Sequence, residues 1–510
     1  MTSPPEAGRT WRDTLAAYAH PRVRAILFLG FSTGLALPMV LMTQYARLRQ
    51  AGIDRTTIGL FGLLGLMYSL KFFWSPFVDR LRLPLLGGLG RRRSWLLLSQ
   101  LGVAAGLVSM AMHDPADGVA LMALLAALTA FAAATQDIVV DAYRIEAVGV
   151  ELQGSMVASW QIGYQAALIC AQAGALTAAA SFGWTTSYLI IAACLGVGVI
   201  TTLLIDEPEG AAGSAARVDP VLVESVETKL TPPRVLLGLG AAAGAFAITA
   251  LYVQSEQLPL ASWLGGMVAL GLILALATAL ALMRLVPALR GSYDWTVVSV
   301  LLPLVDFFAR FGLRLGLVVV ALIVTYRLNY MTMGMAANTF YLDLGFTLKE
   351  IAAVSKTFGL VVTMAGGVVG GLLVARYGIL RSLLIGFALL TAGNLFYAYI
   401  AETHPDVWWL AAAVSIDNLG NGIAGVAFIA YMSSLVNRAY TATQFALFGM
   451  LWSLPAKLIA SQWGRIVDAF GYRPFFVYTA LIGLPSLLLV LWLMRQPPAR
   501  SPAAASSART

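Results

Sequence analysis

Apolar runs of about twenty residues alternate with short polar segments along most of the chain. An α-helix needs about 20 mostly apolar residues to cross the hydrocarbon core of a bilayer. Runs of this length therefore predict membrane-spanning helices, and the whole pattern predicts an all-α polytopic membrane protein. Fourteen spans are predicted, at residues 25–46, 57–77, 95–112, 119–141, 155–179, 185–205, 234–253, 260–283, 315–341, 351–374, 382–400, 407–434, 444–466 and 474–494.

A long break after the sixth span divides the predicted spans into two sets of six and an additional pair. The break is rich in acidic residues and proline, and the pair that follows consists mainly of Ala, Gly, Leu and Val. The run Trp295–Val305 is too short to cross the membrane, so we expect it to lie along the inner interface. The predicted organisation is a cytoplasmic N-terminal segment (1–24), a six-helix bundle (25–205), a cytoplasmic linker (206–233), an inserted transmembrane helix pair (234–283), a cytoplasmic or interfacial linker (284–314), a second six-helix bundle (315–494) and a disordered cytoplasmic tail (495–510).

Basic residues are unevenly distributed between the two sides of the predicted spans. Loops enriched in lysine and arginine stay on the cytoplasmic side of a membrane. The basic loop between residues 79 and 93, and the segment Gly370–Ser382 at the same place in the second half, therefore predict that both termini are cytoplasmic. In that orientation the outer segments contain six of the 33 basic residues, Arg47, Arg49, Arg55, Lys349, Arg465 and Arg473.

Composition disfavours several other functions. Of the 510 residues, 59% are hydrophobic and 11% are charged, against about 25% charged in soluble domains. The net charge of +8 is explained by the basic loops and predicts no nucleic-acid partner. Cys170 and Cys194 lie inside apolar runs, and His20, His113 and His404 lie at span ends, so we expect no disulfide, metal site, cofactor or catalytic residue.

The turn between the second and third spans carries charges of both signs. Asp79 ends the second span, and Arg91, Arg92 and Arg93 begin the third. Arg144 ends the fourth span on the same predicted side. Opposite charges at a rim can form and break ion pairs as two bundles move against each other. We therefore predict that these five side chains form a cytoplasmic gate.

Acidic residues inside the predicted spans are candidates for proton transfer, because a charge at membrane depth is costly and usually functional. Asp137 and Asp141 are four residues apart, so their carboxylates share one face of the fourth helix. Asp417 lies inside a span of the second bundle. The alternative is that Asp141 and Arg144 only hold the cytoplasmic end of their helix by ion pairing.

Cations inside the spans outnumber nearby acids and predict an anionic cargo. Lys71 lies in the second span, and Arg327, Lys356 and Lys457 lie in the second bundle, where Asp417 is the acid at membrane depth. Such a surplus of positive charge matches a carboxylate-bearing ligand. The alternative is that Asp417 pairs with a lysine and simply holds two helices together.

The fifth span has a polar and aromatic face. Trp160, Gln161, Tyr164 and Gln165 lie on one broad side at the helical period. Aromatic rings and amides suit a sugar, because rings stack on its C–H groups and amides bond to its hydroxyls. The alternative is hydrogen bonding between helices.

Six segments carry a resemblance to a known family: GFSTGL (30–35), TTIGLFGLLGLMYSLKFFWSPFVDR (56–80), GRRRSWLL (90–97), ATQDIVVDAYR (134–144), SKTFGL (355–360) and ATQFAL (442–447). With them the chain resembles the AmpG-type anhydromuropeptide permeases of the major facilitator superfamily. The resemblance implies that superfamily's fold with two extra helices after the sixth span. It also implies proton-driven import of anhydro-muropeptides across the bacterial inner membrane for peptidoglycan recycling, without a cofactor, by a protein that we expect to be a monomer.

Two positions depart from the family's pattern. This chain has Gln165 where an arginine is usual in the fifth helix, and Tyr330 where an aspartate is usual in the seventh core helix. Tyr330 therefore joins the candidate cargo-binding residues. The departures leave open a related carrier of another anionic cargo, such as a siderophore or a CoA ester. A membrane-embedded enzyme is the alternative from another class.

Overall fold

The computed structural model describes residues 16–53, 57–58, 61–65, 68, 71–81, 83, 86–208, 302–403, 406–460 and 463–496. The predicted inserted pair at 234–283 lies outside the described residues. So do most of its two flanking linkers and most of both terminal segments. Fourteen spans and the domain boundaries therefore stay predictions.

The described part of the first half consists of helices joined by short turns and irregular segments. Its second predicted span is described in part, as a 3₁₀ turn at Gly62–Gly65, another at Lys71–Phe73 and a short helix with Pro76 in its first turn, a position that proline tolerates because no intrahelical N–H is needed there. The helices are α1 (Pro21–Val40), α2 (Met42–Gln50), α3 (Ser75–Arg80), α4 (Arg91–Met112), α5 (Val119–Glu146), α6 (Gln153–Ile169), α7 (Ala175–Cys194) and α8 (Gly196–Leu204).

The second half repeats this plan. Between its helices, residues Ala352–Phe358 form a π-helical turn, as Cys170–Gly174 do between α6 and α7. The helices are α9 (Leu302–Thr325), α10 (Leu328–Asp343), α11 (Leu348–Ile351), α12 (Gly359–Tyr377), α13 (Ile379–Ile400), α14 (Val407–Leu435), α15 (Thr441–Ala460), α16 (Trp463–Phe470), α17 (Tyr472–Ile482) and α18 (Leu484–Arg495).

The all-α membrane class is confirmed. Nine helical segments of the described chain are long and apolar enough to cross a membrane. One of them, Val150–Leu204, has 55 residues and contains a non-helical glycine at position 183, where the sequence predicts the boundary between its fifth and sixth spans. At about 1.5 Å per residue, 55 residues are far too long for one crossing.

The seventh core span differs from its prediction. The sequence predicts one helix over residues 315–341, but α9 ends at Thr325 and α10 begins at Leu328. The Asn329 side chain accepts a hydrogen bond from the Tyr330 amide at 2.7 Å, and such a local bond competes with the helical backbone pattern. Arg327 occupies this break.

The two halves pack against each other through glycine contacts. A Cβ atom added at Gly371 of α12 would lie 2.9 Å from the Ala158 Cβ of α6 and 3.2 Å from the Gly154 carbonyl oxygen. A hydrophobic cluster of the second half also includes Val157 and Ala158 from the first. Because α6 begins and α12 ends here, the close approach lies at the end of the molecule that carries the basic loops, which we call the basic end.

Candidate functional site

The Asp79 carboxylate joins the two halves at the basic end. It accepts hydrogen bonds from the Ala442 amide (3.1 Å), the Thr443 amide (2.8 Å) and the Thr443 hydroxyl (2.8 Å). These amides belong to the first turn of α15, where backbone N–H groups have no partner inside the helix. Asp79 therefore acts as an N-terminal cap supplied by the other bundle, favoured also by the helix dipole. We call this contact the latch.

Arg92 supports the latch from inside the first half. Its guanidinium is fully buried and lies 2.8 Å from Asp79 Oδ1 and 2.6 Å from Glu146 Oε1, and Nε donates to Glu146 Oε2 at 2.9 Å. Arg91 Nη1 donates to the Asp79 backbone oxygen at 2.7 Å. A buried cation is tolerable only when it is paired and hydrogen-bonded, and here both acids meet that requirement.

The other two predicted gate arginines have different partners. Arg93 donates to the carbonyl oxygens of Thr202 (3.1 Å) and Leu203 (2.8 Å) at the end of α8. Arg144 does cross between the halves, because Nη1 donates to the Ser433 hydroxyl at 3.0 Å and the guanidinium lies 5.1 Å from the centroid of the Phe445 ring. The structure therefore brings Asp79, Arg91 and Arg92 together and places Arg144 at a second inter-bundle contact.

Two acids of the basic end were missed by the sequence analysis. Glu146 neutralises Arg92, and Glu207 accepts hydrogen bonds from the amides of Arg92 (2.7 Å) and Arg93 (3.1 Å) at the start of α4. Gly90 has φ +98°, and a Cβ there would lie 2.5 Å from the Glu207 side chain, so this turn requires glycine. The sequence does contain a signal for Glu146 and Glu207, because acidic residues in an otherwise basic region need cationic or amide partners.

Lys71, Asp137, Asp141 and Arg144 form one buried charge cluster between the second and fourth spans. The Lys71 ammonium is in direct contact with the Asp137 carboxylate and 3.4 Å from Asp141 Oδ2. Arg144 Nη2 lies 3.2 Å from Asp141 Oδ1. Two cations and two acids balance, so Lys71 is a partner of the carboxylates rather than a free cation for cargo.

Arg327 has a different environment, made of an amide and aromatic rings. Nη2 donates to Asn421 Oδ1 at 2.7 Å, and the guanidinium lies 4.8 Å from the Tyr330 ring centroid and 5.6 Å from that of Trp452. Within the described part of the chain it forms no ion pair. Cation–π contacts stabilise the charge without neutralising it. Arg327 therefore retains donors for an anion.

The fifth span faces this arginine across the two halves. A Cβ added at Gly425 would lie 3.6 Å from Gln161 Oε1 and 3.7 Å from Arg327 Nη1, so both side chains reach the same position. Trp160 and Tyr164 pair with ring centroids 5.2 Å apart.

Two polar atoms of this face lack a hydrogen-bond partner within the described part of the chain. Trp160 Nε1 and Gln165 Oε1 are buried without a hydrogen-bond partner among the described residues. Each of these atoms has capacity for a hydrogen bond to a water molecule or a ligand.

Asp417 is buried, with 6% of its surface exposed, and makes no ion pair with any described side chain. The side chains of Lys356 and Lys457 lie outside the described residues, so their predicted pairing with Asp417 or with cargo stays a prediction. No group of three or more His, Cys, Asp or Glu side chains that could hold a metal occurs in the described ranges.

Two similar helical halves that meet around buried charges define a polytopic membrane transporter. The family model "Major Facilitator Superfamily" matches residues 24–328 and 318–509. The anhydromuropeptide permease of Escherichia coli K12 is 30% identical over 479 residues, which are 94% of this chain and 80% of that protein. A transporter named AmpG from Rickettsia conorii is 27% identical over 474 residues, 92% of this chain and 96% of its own length. The chain belongs to the AmpG-type permease family of the major facilitator superfamily.

Solved structures with a similar fold have very different sequences. The proton:xylose symporter XylE matches with a TM-score of 0.59 and 11% identity, over 94% of this chain and 95% of that one. The transporter FucP, solved in the outward conformation, matches with a TM-score of 0.57 and 12% identity, over 93% and 99% of the two chains. At these identities the likeness establishes the fold alone.

Proposed function

We propose that the protein is a secondary active transporter that imports anhydro-muropeptides across the bacterial inner membrane by alternating access. The observation that carries the proposal is Arg327, placed at a break in a membrane helix, held by Asn421 and two aromatic rings, and turned toward Gln161 of the other half. Helix breaks at membrane depth are where transporters commonly bind cargo. The E. coli relative is named for the same class of cargo.

The two halves divide the recognition of the cargo in this proposal. Arg327 binds a peptide or lactyl carboxylate, because a planar guanidinium matches a carboxylate with two parallel hydrogen bonds. Trp160 and Tyr164 stack on the sugar rings, and Gln161, Gln165 and the Trp160 indole N–H bond to hydroxyls or amides. Because the cargo contacts both halves, it stabilises the relative position of the two bundles in which all of these contacts are made.

The latch supports the interpretation that the described arrangement is the state closed at the basic end. In the proposed topology that end and both termini are cytoplasmic, so this state accepts cargo from the periplasm. Opening requires the Asp79 carboxylate to leave the first turn of α15, and then Gly371 to separate from α6. The monomer is the proposed working unit, with protons and membrane lipid as its other partners.

Proton coupling is proposed at the buried acids. Protonation of Asp137 breaks its attraction to Lys71 and leaves Lys71 and Asp141 to re-pair, which changes the contact between the second and fourth spans. Asp417 is the candidate in the second half because a buried acid with no described cation beside it is costly in its charged form. Such changes bias a two-state carrier only if the states differ in proton affinity.

Uptake of radiolabelled anhydro-muropeptide into membrane vesicles tests the proposal. We expect accumulation that an uncoupler of the proton gradient abolishes and that Arg327→Gln prevents. Purified protein in liposomes then separates a carrier from a membrane-embedded enzyme, since a carrier delivers the cargo chemically unchanged. No uptake of muropeptide, with binding of a siderophore or a CoA ester instead, would overturn the cargo assignment.

A further inference from the structure

A second set of polar side chains binds the first turn of α15 next to the latch. We call Asp306, Arg310, Asn437 and Gln444 the Gln444 cluster. Gln444 is fully buried. Its Nε2 donates to the Pro303 carbonyl oxygen at 2.7 Å and to Asp306 Oδ2 at 2.9 Å. Its Oε1 accepts from the Asn437 amide at 2.7 Å and from Arg310 Nη2 at 3.3 Å. Both donors and both acceptor sites of the amide are thereby used.

The same cluster connects three parts of the second half. Asp306 accepts from Asn437 Nδ2 at 3.0 Å and from Arg310 Nε at 2.9 Å. Arg310 also donates to the Leu435 carbonyl oxygen, at the end of α14, at 3.0 Å. The first part of α9, up to the non-helical Gly312, is therefore bound to the end of α14 and to the start of α15.

Apolar contacts reinforce this attachment. Leu304 of α9 packs against the small cluster in which Phe72 of the first half meets Ala446 and Leu447 of α15. Thr443 and Gln444 are consecutive, so their side chains leave the helix about 100° apart. One turn of helix thus holds Asp79 through residue 443 and Asp306 through residue 444.

We infer that Gln444 is a positioning residue for the latch: it fixes the first turn of α15 on residues 302–311, so that the Ala442 and Thr443 amides face Asp79. The inference rests on the proposed alternating access and deepens it by naming a control point. Residues 302–311 follow the predicted inserted pair in the chain. A displacement of that segment against α14 and α15 is therefore expected to weaken the latch without any change at Asp79 itself.

A double-mutant cycle tests the inference because it separates coupling from independent damage. The reporter is Val374→Cys, placed at the α6–α12 contact, in a chain whose Cys170 and Cys194 are replaced by Ala. The rate of its labelling by a soluble maleimide is measured on purified protein, where both sides are accessible. We expect Asp79→Asn and Gln444→Leu each to raise the rate about five-fold, and the double variant to be no faster than Asp79→Asn alone.

Two outcomes overturn the inference. In one, the effects of Gln444→Leu and Asp79→Asn multiply, which would make Gln444 a structural residue of its own bundle. In the other, Gln444→Leu leaves the labelling rate unchanged. The matched control is Tyr397→Phe, which removes a buried hydrogen bond of 2.9 Å to Tyr341 elsewhere in the same bundle. Its effect should be small and independent of Asp79.

Asp306→Asn replaces Gln444→Leu if the latter does not elute as a monodisperse protein, because it keeps the shape of the cluster and removes its charge. The labelling assay contains no cargo. If muropeptide uptake is absent but the labelling rates still show coupling between Gln444 and Asp79, only the proposed function is overturned. If uptake is normal but the two substitutions act independently on the labelling rate, only the role of Gln444 is overturned.

Discussion

Arg92 and Arg327 are both arginines in largely buried surroundings, yet their partners give them opposite roles. Arg92 is neutralised by Asp79 and Glu146 and has no capacity left for another anion. Arg327 is held by Asn421 and by aromatic rings, which fix its position but keep its charge. An uncompensated cation at membrane depth is expensive, and this supports the proposed role of Arg327 as the anion site.

Arg327→Gln is expected to weaken binding of an anionic cargo by about 100-fold or more, because charge-assisted hydrogen bonds are lost. Arg327→Lys should retain part of the affinity, about a tenth, since the ammonium keeps the charge and loses the planar fork. Calorimetric titration of purified protein measures both. Arg473→Gln is the control, because Arg473 pairs with Glu402 at an exposed position. Wild-type affinity in Arg327→Gln would make Arg327 structural.

Asp79→Asn should shift the protein toward the state open at the basic end, and Asp79→Ala should shift it further. A capping carboxylate contributes about 1 to 2 kcal/mol, which corresponds to about a five- to thirty-fold change in the equilibrium. Labelling of a cysteine at the basic end measures the shift. Asp406→Ala is the matched control, because Asp406 caps α14 within its own bundle through the Trp408 amide at 2.7 Å. Equal labelling in Asp79→Ala and Asp406→Ala would count against the latch.

At the scale of helices, small residues decide how closely the two halves approach. Gly371 and Gly154 bring the α6 and α12 backbones together, and the Tyr18 hydroxyl reaches the Val368 carbonyl oxygen beside them at 3.3 Å. Without side chains at these two positions the two helix backbones approach closely. A second feature at the scale of helices is the break at Arg327 in the seventh core span.

Gly371→Ala should hinder closure of the basic end, because its Cβ would lie 2.9 Å from that of Ala158. The expected result is faster labelling of cysteines at the basic end and slower uptake. Gly449→Ala is the matched control, since Gly449 also lies in a helix and a Cβ there meets no atom within 4 Å. Helix propensity alone favours Ala over Gly by about 1 kcal/mol in both. Indistinguishable behaviour of the two variants would show that the contact at Gly371 does not limit closure.

At the scale of the whole molecule, the buried charge cluster and the latch lie at different distances from the basic end. The latch and Arg144–Ser433 hold the basic end, and the Lys71–Asp137–Asp141 cluster lies deeper in the first half. Arg144 contacts Asp141 on one side and Ser433 on the other, so in the proposed coupling it links the cluster to the interface.

Asp137→Asn is predicted to abolish accumulation of cargo against a gradient and to leave exchange across the membrane intact, because exchange moves no net proton. Accumulation and counterflow in proteoliposomes distinguish the two activities. Asp141→Asn and Asp417→Asn complete the set, and Asp114→Asn, in an exposed turn between α4 and α5, is the control. If all three buried variants still accumulate cargo, proton coupling is located elsewhere or is absent.

Much of the architecture follows from the sequence because hydropathy is a local property of the chain. Runs of about 20 apolar residues must cross as helices in lipid, since no other partner satisfies their backbone groups. The charges at membrane depth, Lys71, Asp137, Asp141, Arg327 and Asp417, were found for the same reason. The break at Arg327 was missed because hydropathy does not register local hydrogen bonds such as the one between the Tyr330 amide and the Asn329 side chain.

The pairing of those charges was decided only by the tertiary structure. Asp79 meets Thr443 across 364 positions of the chain, Lys71 meets Asp137 across 66, and Arg327 meets Asn421 across 94. Glu146 became recognisable as a partner of Arg92 only when α4 and α5 were packed together. The sequence determines which groups cannot face lipid. The rotation and close approach of helices determine which of them meet, because that depends on side-chain packing between segments far apart in the chain.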